Sequence, residues 1–490
     1  MNESASTIIT PAVVSVTAEH MPEAALQGRL GAIDIALATL AYAGPLGGVV
    51  GYTALIIGAG NGLGAPLAFL VVMAILGFFA VGYGALTKHV PYPGAFYAYI
   101  TAGLGRAVGL GSSFMILGSY VAIGIGAYAF SGVVSKQFVE GLGGPVIDWW
   151  IYSLLFWVTV ASLAYFHVAL SAKVLGVLLI AELVAIFWFD GAVFVQGGAE
   201  GISLAPFTWT AFTSGNLGIA LIFALALFVG FEATAIYREE TRDPDRTIPK
   251  ATMGVVIFIG LFYAVSSWAL ITGIGTSRAV AVSEADPAGA FFPIARQFSG
   301  VVYYHITSAL ILSSMFAANL AVHNVTTRYI YSLAVDGIFP KALGIAHPRH
   351  HSPHRASLTV SSVYLATTAA LVLIGLTSEE IYSRFTGIAA FGINCAMTIT
   401  SLATVVFFAR AKAEISVWQA FIAPGISLVG LLIMAYLSLV NLPALVGGSE
   451  SAATAMTLTG LALFAAGWVL AQWLRTNRPL VYAKIGRQTG

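Results

Sequence analysis

Long apolar stretches separated by short polar connections run through almost the whole sequence. A helix needs about 20 apolar residues to cross the hydrocarbon core of a bilayer, and twelve stretches meet that requirement. These stretches, numbered spans 1 to 12 in chain order, are residues 30–58, 64–87, 107–135, 148–167, 169–195, 214–237, 250–275, 301–334, 357–376, 380–410, 415–440 and 453–474. The pattern predicts an all-α polytopic membrane protein with twelve transmembrane helices in a lipid bilayer.

The amino-acid composition agrees with a membrane protein and argues against other classes. Hydrophobic residues make up 58% of the chain and charged residues 9%, whereas soluble proteins carry about 25% charged residues. The net charge of +1 provides no basic surface for nucleic acid. Cys395 is the single cysteine, so no intramolecular disulfide can form.

Lysine and arginine are distributed unequally between the two sides of the predicted membrane helices. If the N-terminus is cytoplasmic, 18 of the 22 basic residues fall in cytoplasmic segments. Because basic loops stay on the cytoplasmic side, we expect both termini in the cytoplasm and the protein in the cytoplasmic, or inner, membrane. The predicted domains are a cytoplasmic tail over 1–29, a ten-helix transport core over 30–410, two peripheral transmembrane helices over 411–474 and a cytoplasmic tail over 475–490.

Span 1 contains a cluster of helix-weakening residues in the middle of its apolar run. Residues 43–51, AGPLGGVVG, hold four glycines and Pro45. In a helix interior glycine costs about 1 kcal/mol and proline about 3 kcal/mol relative to alanine. The cluster predicts a discontinuous helix whose ends direct backbone dipoles at a solute. Close packing of small residues against a neighbouring helix is the alternative.

Span 6 is interrupted at residues 228–232, FVGFE, where a glycine and a carboxylate follow an apolar run. Unwound backbone in a membrane persists only where protein, water or a bound solute satisfies its polar groups, so we expect a binding cavity here. The alternative is a kinked structural helix with Glu232 hydrogen bonded inside the bundle. Residues 238–246 are predicted to form a charged loop, and Pro249 is placed to begin the next helix.

The two interruptions lie five spans apart. This spacing matches a fold of two inverted repeats, with the site at the midplane between the two broken helices. Because five is odd, the two halves would cross the membrane in opposite directions. The pattern therefore predicts a five-plus-five inverted-repeat fold with helices 1 and 6 broken.

Two polar features of the apolar spans are candidates for coupling. Glu182 lies near the middle of span 5, where low dielectric favours a neutral carboxyl group, so it is a candidate to exchange a proton; a protonated structural glutamate is the alternative. Asp190 lies nearer the outer end of the same span. In span 8, Ser313 and Ser314 are candidates to ligate a cation or substrate, but most membrane serines bond a carbonyl of the preceding turn. We expect at least one of the two to be structural.

The sequence contains no motif for enzymatic catalysis or nucleotide binding. A Walker-type glycine loop, an HExxH pair and a GxSxG elbow are all missing from it. The histidine cluster at residues 347–355, HPRHHSPHR, is interpreted as a basic cytoplasmic loop, because a structural metal site normally recruits ligands from a defined turn. We therefore expect no enzymatic activity, no metal site and no cofactor, with energy supplied by an ion or solute gradient.

Several short segments, spread over nearly the whole chain, combine residues typical of one superfamily of transporters. The longest is GFEATAIYREETRDPDRTIPKAT, residues 230–252, which joins broken span 6 to span 7. The others are Gly64-Ala65-Pro66, Tyr92-Pro93-Gly94-Ala95-Phe96-Tyr97, His323-Asn324 and Arg328-Tyr329. In these segments the chain resembles the amino acid, polyamine and organocation (APC) superfamily and its bacterial amino acid permeases. The resemblance implies the five-plus-five fold, with spans 1 and 6 holding the common part of an amino acid.

The resemblance also implies where a substrate would lie. Its carboxylate would meet backbone amides near Leu46, Gly47 and Gly48, and its ammonium would meet carbonyls near Ala226 and Val229. Together with the residues of the two breaks, this gives as candidate substrate-binding residues Gly44, Leu46, Gly47, Gly48, Ala226, Phe228, Val229, Gly230 and Phe231, and the candidate coupling and gating residues are Glu182, Glu232, Ser313 and Ser314.

The chain departs from the superfamily pattern at two places. GPLGGVVG, residues 44–51, inserts a proline and lacks the phenylalanine usual after the first break. Glu182 aligns with the position at which proton-coupled relatives carry a lysine, so both a proton and sodium remain open as the coupling ion.

The combined interpretation is a secondary active transporter that moves amino acids or related amines by alternating access, with a proton slightly favoured over sodium. A polyamine or organocation exchanger is the first alternative, and an amine-binding membrane sensor or channel is the second. Broken helices with no ring of filter residues, and no sizeable soluble domain, favour transport. The expected partners are a small amino acid or amine, the coupling ion and the bilayer.

Overall fold

The structure is a computed structural model. It describes residues 31–486 apart from residues 91–94, 167–171, 233, 236–240, 348–351, 412–413 and 446–448. The predicted tail over 1–29 and parts of the predicted loops at 238–246 and 347–355 lie outside the described residues.

The described chain is helical almost throughout, and its helices follow the apolar spans. The helices are α1 Ala32–Ala43, α2 Pro45–Ala59, α3 Ala65–His89, α4 Ala95–Leu104, α5 Arg106–Gly141, α6 Trp149–Phe166, α7 Ala172–Val195, α8 Leu217–Ala226, α9 Pro244–Ile274, α10 Ala279–Ala285, α11 Phe291–Val335, α12 His354–Leu373, α13 Ser378–Arg410, α14 Trp418–Val440, α15 Glu450–Asn477 and α16 Pro479–Lys484. Short helical turns lie at Ala205–Phe207, Trp209–Phe212, Lys341–Gly344 and Leu442–Leu445.

Within the described residues, nine helices are long and apolar enough to cross a membrane. They are α3, α5, α7, α9 and α11 to α15. Three shorter apolar helices, α2, α6 and α8, lie where spans 1, 4 and 6 are predicted. Because hydrocarbon offers no partners for backbone polar groups, apolar segments of this kind cross a bilayer as helices. The chain is therefore an all-helical, multi-pass membrane protein.

Helix α7 shows how one helix divides its faces between lipid and protein. Val184 and Trp188, four residues apart, are 61% and 63% exposed. Glu182 and Asp190, on the same helix, are each only 3% exposed. Burying a carboxylate in the bundle is far less costly than exposing it to lipid, where nothing can solvate it. This division of faces directs both acidic side chains of α7 into the protein interior.

The predicted start of the helix after span 6 is wrong. Helix α9 begins at Pro244, directly after Asp243, and Pro249 lies inside it. Pro244 occupies the first helical position, where its fixed φ and missing N–H cost least. Pro249 is accommodated by the neighbouring helix α3, because a Cβ atom on Gly84 would lie only 2.9 Å from the Pro249 ring. A glycine on one helix thus makes room for the proline on the other.

Helix α5 is one of the helices that join different parts of the bundle. It contacts α6, α11, α13 and α15, while α3 packs along α9. Helix α11 contains a kink at Gly300, whose φ of 86° is non-helical, one residue before the predicted start of span 8 at residue 301. The interrupted segments are enclosed by this framework: α1 contacts α7, α9 and α11, and α8 contacts α2, α3, α13 and α14.

Candidate binding site between two interrupted helices

The first interruption separates α1 from α2 at Gly44. Gly44 has φ 54° and ψ 66°, in the left-handed region, which glycine enters without a Cβ penalty. Pro45 then begins α2, and Gly48–Tyr52 form a π-helical turn. The Gly48 N–H bonds the Gly44 carbonyl at 3.0 Å, which leaves Leu46 and Gly47 as first-turn N–H donors. The break predicted in span 1 is therefore present, and it presents a helix N-terminus to the protein interior.

Glu182 of α7 reaches this helix N-terminus. Its Oε2 atom accepts the Leu46 N–H at 3.3 Å and the Ser314 hydroxyl of α11 at 2.8 Å. One carboxyl oxygen therefore joins α2, α7 and α11. The neighbouring Ser313 hydroxyl instead donates to the Leu310 carbonyl of its own helix at 2.7 Å.

The second interruption follows α8 and is built from tight turns. Val229 and Phe231 each donate their N–H to the carbonyl three residues earlier, at 3.3 and 3.2 Å. Gly230 has φ 110°, a conformation that L side chains rarely adopt. The helical ladder of span 6 is therefore lost after Ala226.

Glu232 stabilises this second interruption. Its Oε2 atom accepts the Gly230 N–H at 2.9 Å, and its Oε1 atom accepts the Tyr120 hydroxyl of α5. The Glu232 carbonyl accepts the Tyr83 hydroxyl of α3 at 3.0 Å. With 1% of its surface exposed, Glu232 ties its own turn to two scaffold helices.

A cavity of about 80 Å³ lies between the two interruptions. Since one water molecule needs about 10–15 Å³ of such a cavity, the cavity has room for several non-hydrogen atoms of a solute. Five of the predicted binding residues line it: Gly44, Gly47, Gly48, Ala226 and Val229. Their glycines and alanine leave backbone groups accessible where a bulky side chain would cover them.

Four predicted binding residues do not line this cavity. The Leu46 N–H is directed at Glu182, and Phe228 and Phe231 are fully buried in the hydrophobic core. The Phe231 ring packs edge-on against Phe79 of α3, with 5.8 Å between ring centroids. Gly230 contributes its backbone conformation and its bond to Glu232.

The remaining lining residues were not predicted from the sequence, and most of them lie on α5, α11 and α13. These residues are Ala43, Tyr52, Ile123, Ala127, Phe130, Leu227, Met315, Ala318, Val322, Thr386 and Ala390. Within α5, α11 and α13 they recur at spacings of three or four residues, which is one face of a helix. That periodicity is a usable signal only once these helices are known to contact the two interruptions.

Aromatic rings close one side of the cavity. The Tyr52 ring lies 6.2 Å from Phe130, 6.4 Å from Phe223 and 6.5 Å from Tyr382, measured between centroids. The Tyr52 and Thr386 hydroxyls are 3.1 Å apart. This hydrogen bond joins α2, which follows the first interruption, to α13.

A larger cavity, of about 340 Å³, lies elsewhere and has a different character. Its walls include Tyr128, Trp150, Trp157, Tyr364 and Leu373. Trp150 and Leu373 are 40% and 86% exposed on the surface of the helix bundle. It is therefore a lipid-facing groove, and the smaller cavity, with backbone polar groups at its wall, is the better candidate for a polar solute. Among the described residues, no group of three or more His, Cys, Asp or Glu side chains is arranged to hold a metal ion.

An all-helical membrane protein with a small internal cavity between two interrupted helices has the architecture of a secondary transporter. Comparison with known proteins gives the same class. The model of the amino acid permease family matches residues 36–483. The chain belongs to this family, and so to the APC superfamily; it is a transporter and not an enzyme.

Curated relatives include transporters named for different solutes. The branched-chain amino acid permease BcaP of Bacillus subtilis is 23% identical over 450 residues, covering 85% of this chain and 88% of the relative. The low-affinity putrescine importer PlaP of Escherichia coli K12 is 23% identical over 351 residues, covering 69% of this chain and 72% of the relative. The probable GABA permease of Pseudomonas aeruginosa PAO1 is 26% identical over 345 residues, covering 66% of this chain and 69% of the relative.

Proposed function

We propose that the protein moves neutral amino acids across the cytoplasmic membrane by alternating access, with uptake coupled to protons carried by Glu182. The proposal rests on two hydrogen bonds to the Glu182 carboxyl group of α7. One comes from the Leu46 N–H at the first interruption and the other from the Ser314 hydroxyl of α11. A charged carboxylate accepts such bonds more strongly than a neutral carboxyl group does. Protonation therefore loosens α2 from α7 and α11, and deprotonation fastens it again.

The arrangement of the helices supports the proposed topology. Nine membrane-spanning candidates and three shorter apolar helices correspond in position to the twelve predicted spans. The two interruptions, at Gly44 and after Ala226, are five spans apart, as a five-plus-five inverted repeat requires. The distribution of lysine and arginine favours cytoplasmic termini.

The lining of the cavity supports a neutral, zwitterionic substrate. No Asp, Glu, Lys, Arg or His is among the described lining residues, so a net charge on the substrate would have no counterion there. The open N–H of Gly47 suits a carboxylate, and the Ala226 carbonyl, whose turn bond is long at 3.3 Å, suits an ammonium group. The apolar remainder favours an aliphatic side chain of moderate size.

The alternative substrate class is a polyamine or other organic cation. The relative named as a putrescine importer keeps that possibility open. A dication needs carboxylates at both ends of its site, however, and Glu182 and Glu232 are directed at protein backbone and hydroxyl groups. The orientation of these two carboxyl groups therefore favours an amino acid over a polyamine as the substrate.

The experiment is transport by the purified protein in liposomes. Labelled leucine, valine, alanine, lysine and putrescine are compared in counterflow, where we expect the neutral amino acids to exchange and lysine and putrescine to fail. With an inward proton gradient and no sodium, we expect leucine to accumulate. Glu182→Gln should abolish accumulation while counterflow persists, because the amide cannot carry a proton.

Two serine variants provide a matched comparison. Ser314→Ala removes a hydroxyl that donates to Glu182 and should alter proton-driven accumulation, whereas Ser313→Ala removes a hydroxyl bonded within its own helix. Strict dependence on sodium, or normal accumulation by Glu182→Gln, would show that Glu182 is a structural acid.

A further inference from the structure

Asp190 is a second buried carboxyl group on α7, and the mechanism proposed above does not use it. It is 3% exposed and accepts a hydrogen bond from Ser266 of α9, with 2.9 Å between Ser266 Oγ and Asp190 Oδ2. Its other oxygen, Oδ1, is buried without a hydrogen-bond partner in the described part of the chain. No basic side chain among the described residues pairs with it.

Neither protonation state of Asp190 is fully satisfied by these surroundings. The ionised form has one hydroxyl donor and no counterion, which is costly inside a membrane. The neutral form leaves Oδ1 unpaired whichever oxygen carries the proton, because as an O–H it has no acceptor and as a carbonyl oxygen it has no donor. A buried polar atom left without a partner commonly marks the place of a water molecule or an ion. Asp190 is thus suited to gain and lose a proton.

The helix geometry relates Asp190 to Glu182. The two acids are eight residues apart on α7, which is about 12 Å along a helix axis. On the facing helix α9, Tyr263 lies three residues before Ser266 and on the same side. The Tyr263 hydroxyl is buried and has no hydrogen-bond partner among the described residues; it interacts electrostatically with Glu182 and lies against Gly48 of α2. The α7–α9 interface therefore leads from Asp190 to the first interruption.

We propose that Asp190 is a proton-binding site that takes up the coupling proton from the extracellular side and passes it to Glu182 through water. In the proposed orientation Asp190 lies in the outer half of α7. A hydronium ion transfers its proton to the Asp190 carboxylate and becomes water. The Asp190 carboxyl group then releases a proton to the water chain, whose far end protonates the Glu182 carboxylate. Asp190 returns to its ionised form, and no electrons are transferred.

The groups that face Asp190 favour a proton over a metal cation. Ser266 approaches from α9, and Tyr303 interacts electrostatically from α11. The Tyr303 hydroxyl is already engaged, because it donates to the Ala185 carbonyl at 2.6 Å. One carboxylate and one serine hydroxyl are too few oxygen ligands for a dehydrated hard cation, which takes about six.

The test is the dependence of leucine uptake on external pH, measured in liposomes at fixed internal pH without sodium. Asp190→Asn removes the outer site, so the external pH for half-maximal uptake should move to the acid side by about one unit, a tenfold change in proton concentration. Ser266→Ala removes a donor that stabilises the ionised form, so Asp190 holds its proton more tightly. The pH profile of Ser266→Ala should therefore move in the opposite, alkaline direction.

Ser267→Ala is the matched control, because the Ser267 hydroxyl donates to the Ala264 carbonyl of its own helix at 3.0 Å. Its pH profile should coincide with that of the wild type. Opposite shifts in Asp190→Asn and Ser266→Ala support the proposal, since a merely structural acid would lower uptake at every pH without moving the profile. If Asp190→Asn does not fold, the presence or absence of an alkaline shift in Ser266→Ala still tests the proposal.

The inference rests on the proposed role of Glu182, and the two can fail separately. Unchanged pH profiles together with loss of accumulation in Glu182→Gln would overturn the role of Asp190 alone. Normal accumulation in Glu182→Gln would overturn the proposed coupling itself. A defect of Asp190→Asn that is relieved by sodium and not by acid would show a sodium site and overturn the proton proposal.

Discussion

The sequence predicts a broken membrane helix at each of the two interruptions, but the two breaks are stabilised in different ways. At the first, the carboxylate comes from another helix: Glu182 accepts the Leu46 N–H at 3.3 Å, near the long limit for such a bond. At the second, the carboxylate belongs to the turn itself: Glu232 accepts the Gly230 N–H at 2.9 Å and is held by Tyr120.

This difference separates a contact that can be released from one that defines a conformation. Breaking the Glu182 contact moves α2 relative to α7 and α11 without unfolding any turn. Breaking the Glu232 contacts removes acceptors from a buried N–H and a buried hydroxyl, each costing about 1–3 kcal/mol. We therefore assign coupling to the first interruption and shape to the second.

The largest effect is expected from Glu232, and it would test this division directly. Glu232→Gln retains an acceptor for Gly230, so we expect a monodisperse protein. Its uptake should be at least about tenfold slower, which corresponds to a loss of about 1.4 kcal/mol. Glu232→Ala should also lower the melting temperature, because the Gly230 N–H and the Tyr120 hydroxyl lose their acceptor. Uptake and thermal unfolding measured together check both variants. Wild-type uptake by Glu232→Gln would show that this acid is dispensable.

Adjacent glycines at the first interruption allow a narrower comparison. A Cβ atom on Gly48 would overlap the aromatic ring of Tyr263, whereas a Cβ atom on Gly47 would meet the terminal methyl group of Met315, which can move aside. Overpacking of a rigid neighbour costs about 1–3 kcal/mol, so Gly48→Ala should impair leucine counterflow severely and Gly47→Ala only mildly. Similar losses in both variants would mean that ring contact at Gly48 does not control the position of α2.

The side of the cavity formed by α8 should determine the size of the substrate. Ala226 lines the cavity, so a tryptophan there occupies space that a substrate side chain would use. We expect Ala226→Trp to lose leucine transport while retaining most glycine transport, measured as competition in counterflow. Equal loss of the two would contradict a mechanism based on shape.

The smallest effect is expected far from both interruptions, at Asp336 beyond the end of α11. The Tyr97 hydroxyl donates to Asp336 at 3.0 Å and accepts the Gly486 N–H at 2.8 Å, which fastens the segment after α16. Burial raises the pKa of the Asp336 carboxyl to about 6.

The sign of this shift defines a pH prediction. Because the folded pKa is raised, Asp336 contributes stability at low pH that is lost as the pH rises through about 6. The melting temperature of the wild type should therefore fall between pH 5 and pH 8 by more than that of Asp336→Asn, in which this position cannot ionise. Equal falls in the two proteins would show that ionisation of Asp336 does not contribute to stability.

Local sequence determined the positions of the helices and of their interruptions. The apolar spans, the Gly44-Pro45 pair and Gly230 act through hydration and backbone conformation, which depend on a residue and its immediate neighbours. The start of α9 was mistaken because the proline that begins it, Pro244, is followed by a second one, Pro249, whose tolerance depends on Gly84 of another helix.

The partners of the buried acids were decided only by the tertiary structure. Glu182 lies 136 residues from Leu46 and 132 from Ser314, and Asp190 lies 76 from Ser266. In a chain whose helices are apolar on nearly every face, hydrophobicity alone does not specify which faces meet. That choice depends on the fit of small and large side chains between helices, and it made one glutamate a bridge between helices, the other a clamp on its own turn, and Asp190 a buried acid with one oxygen unpaired.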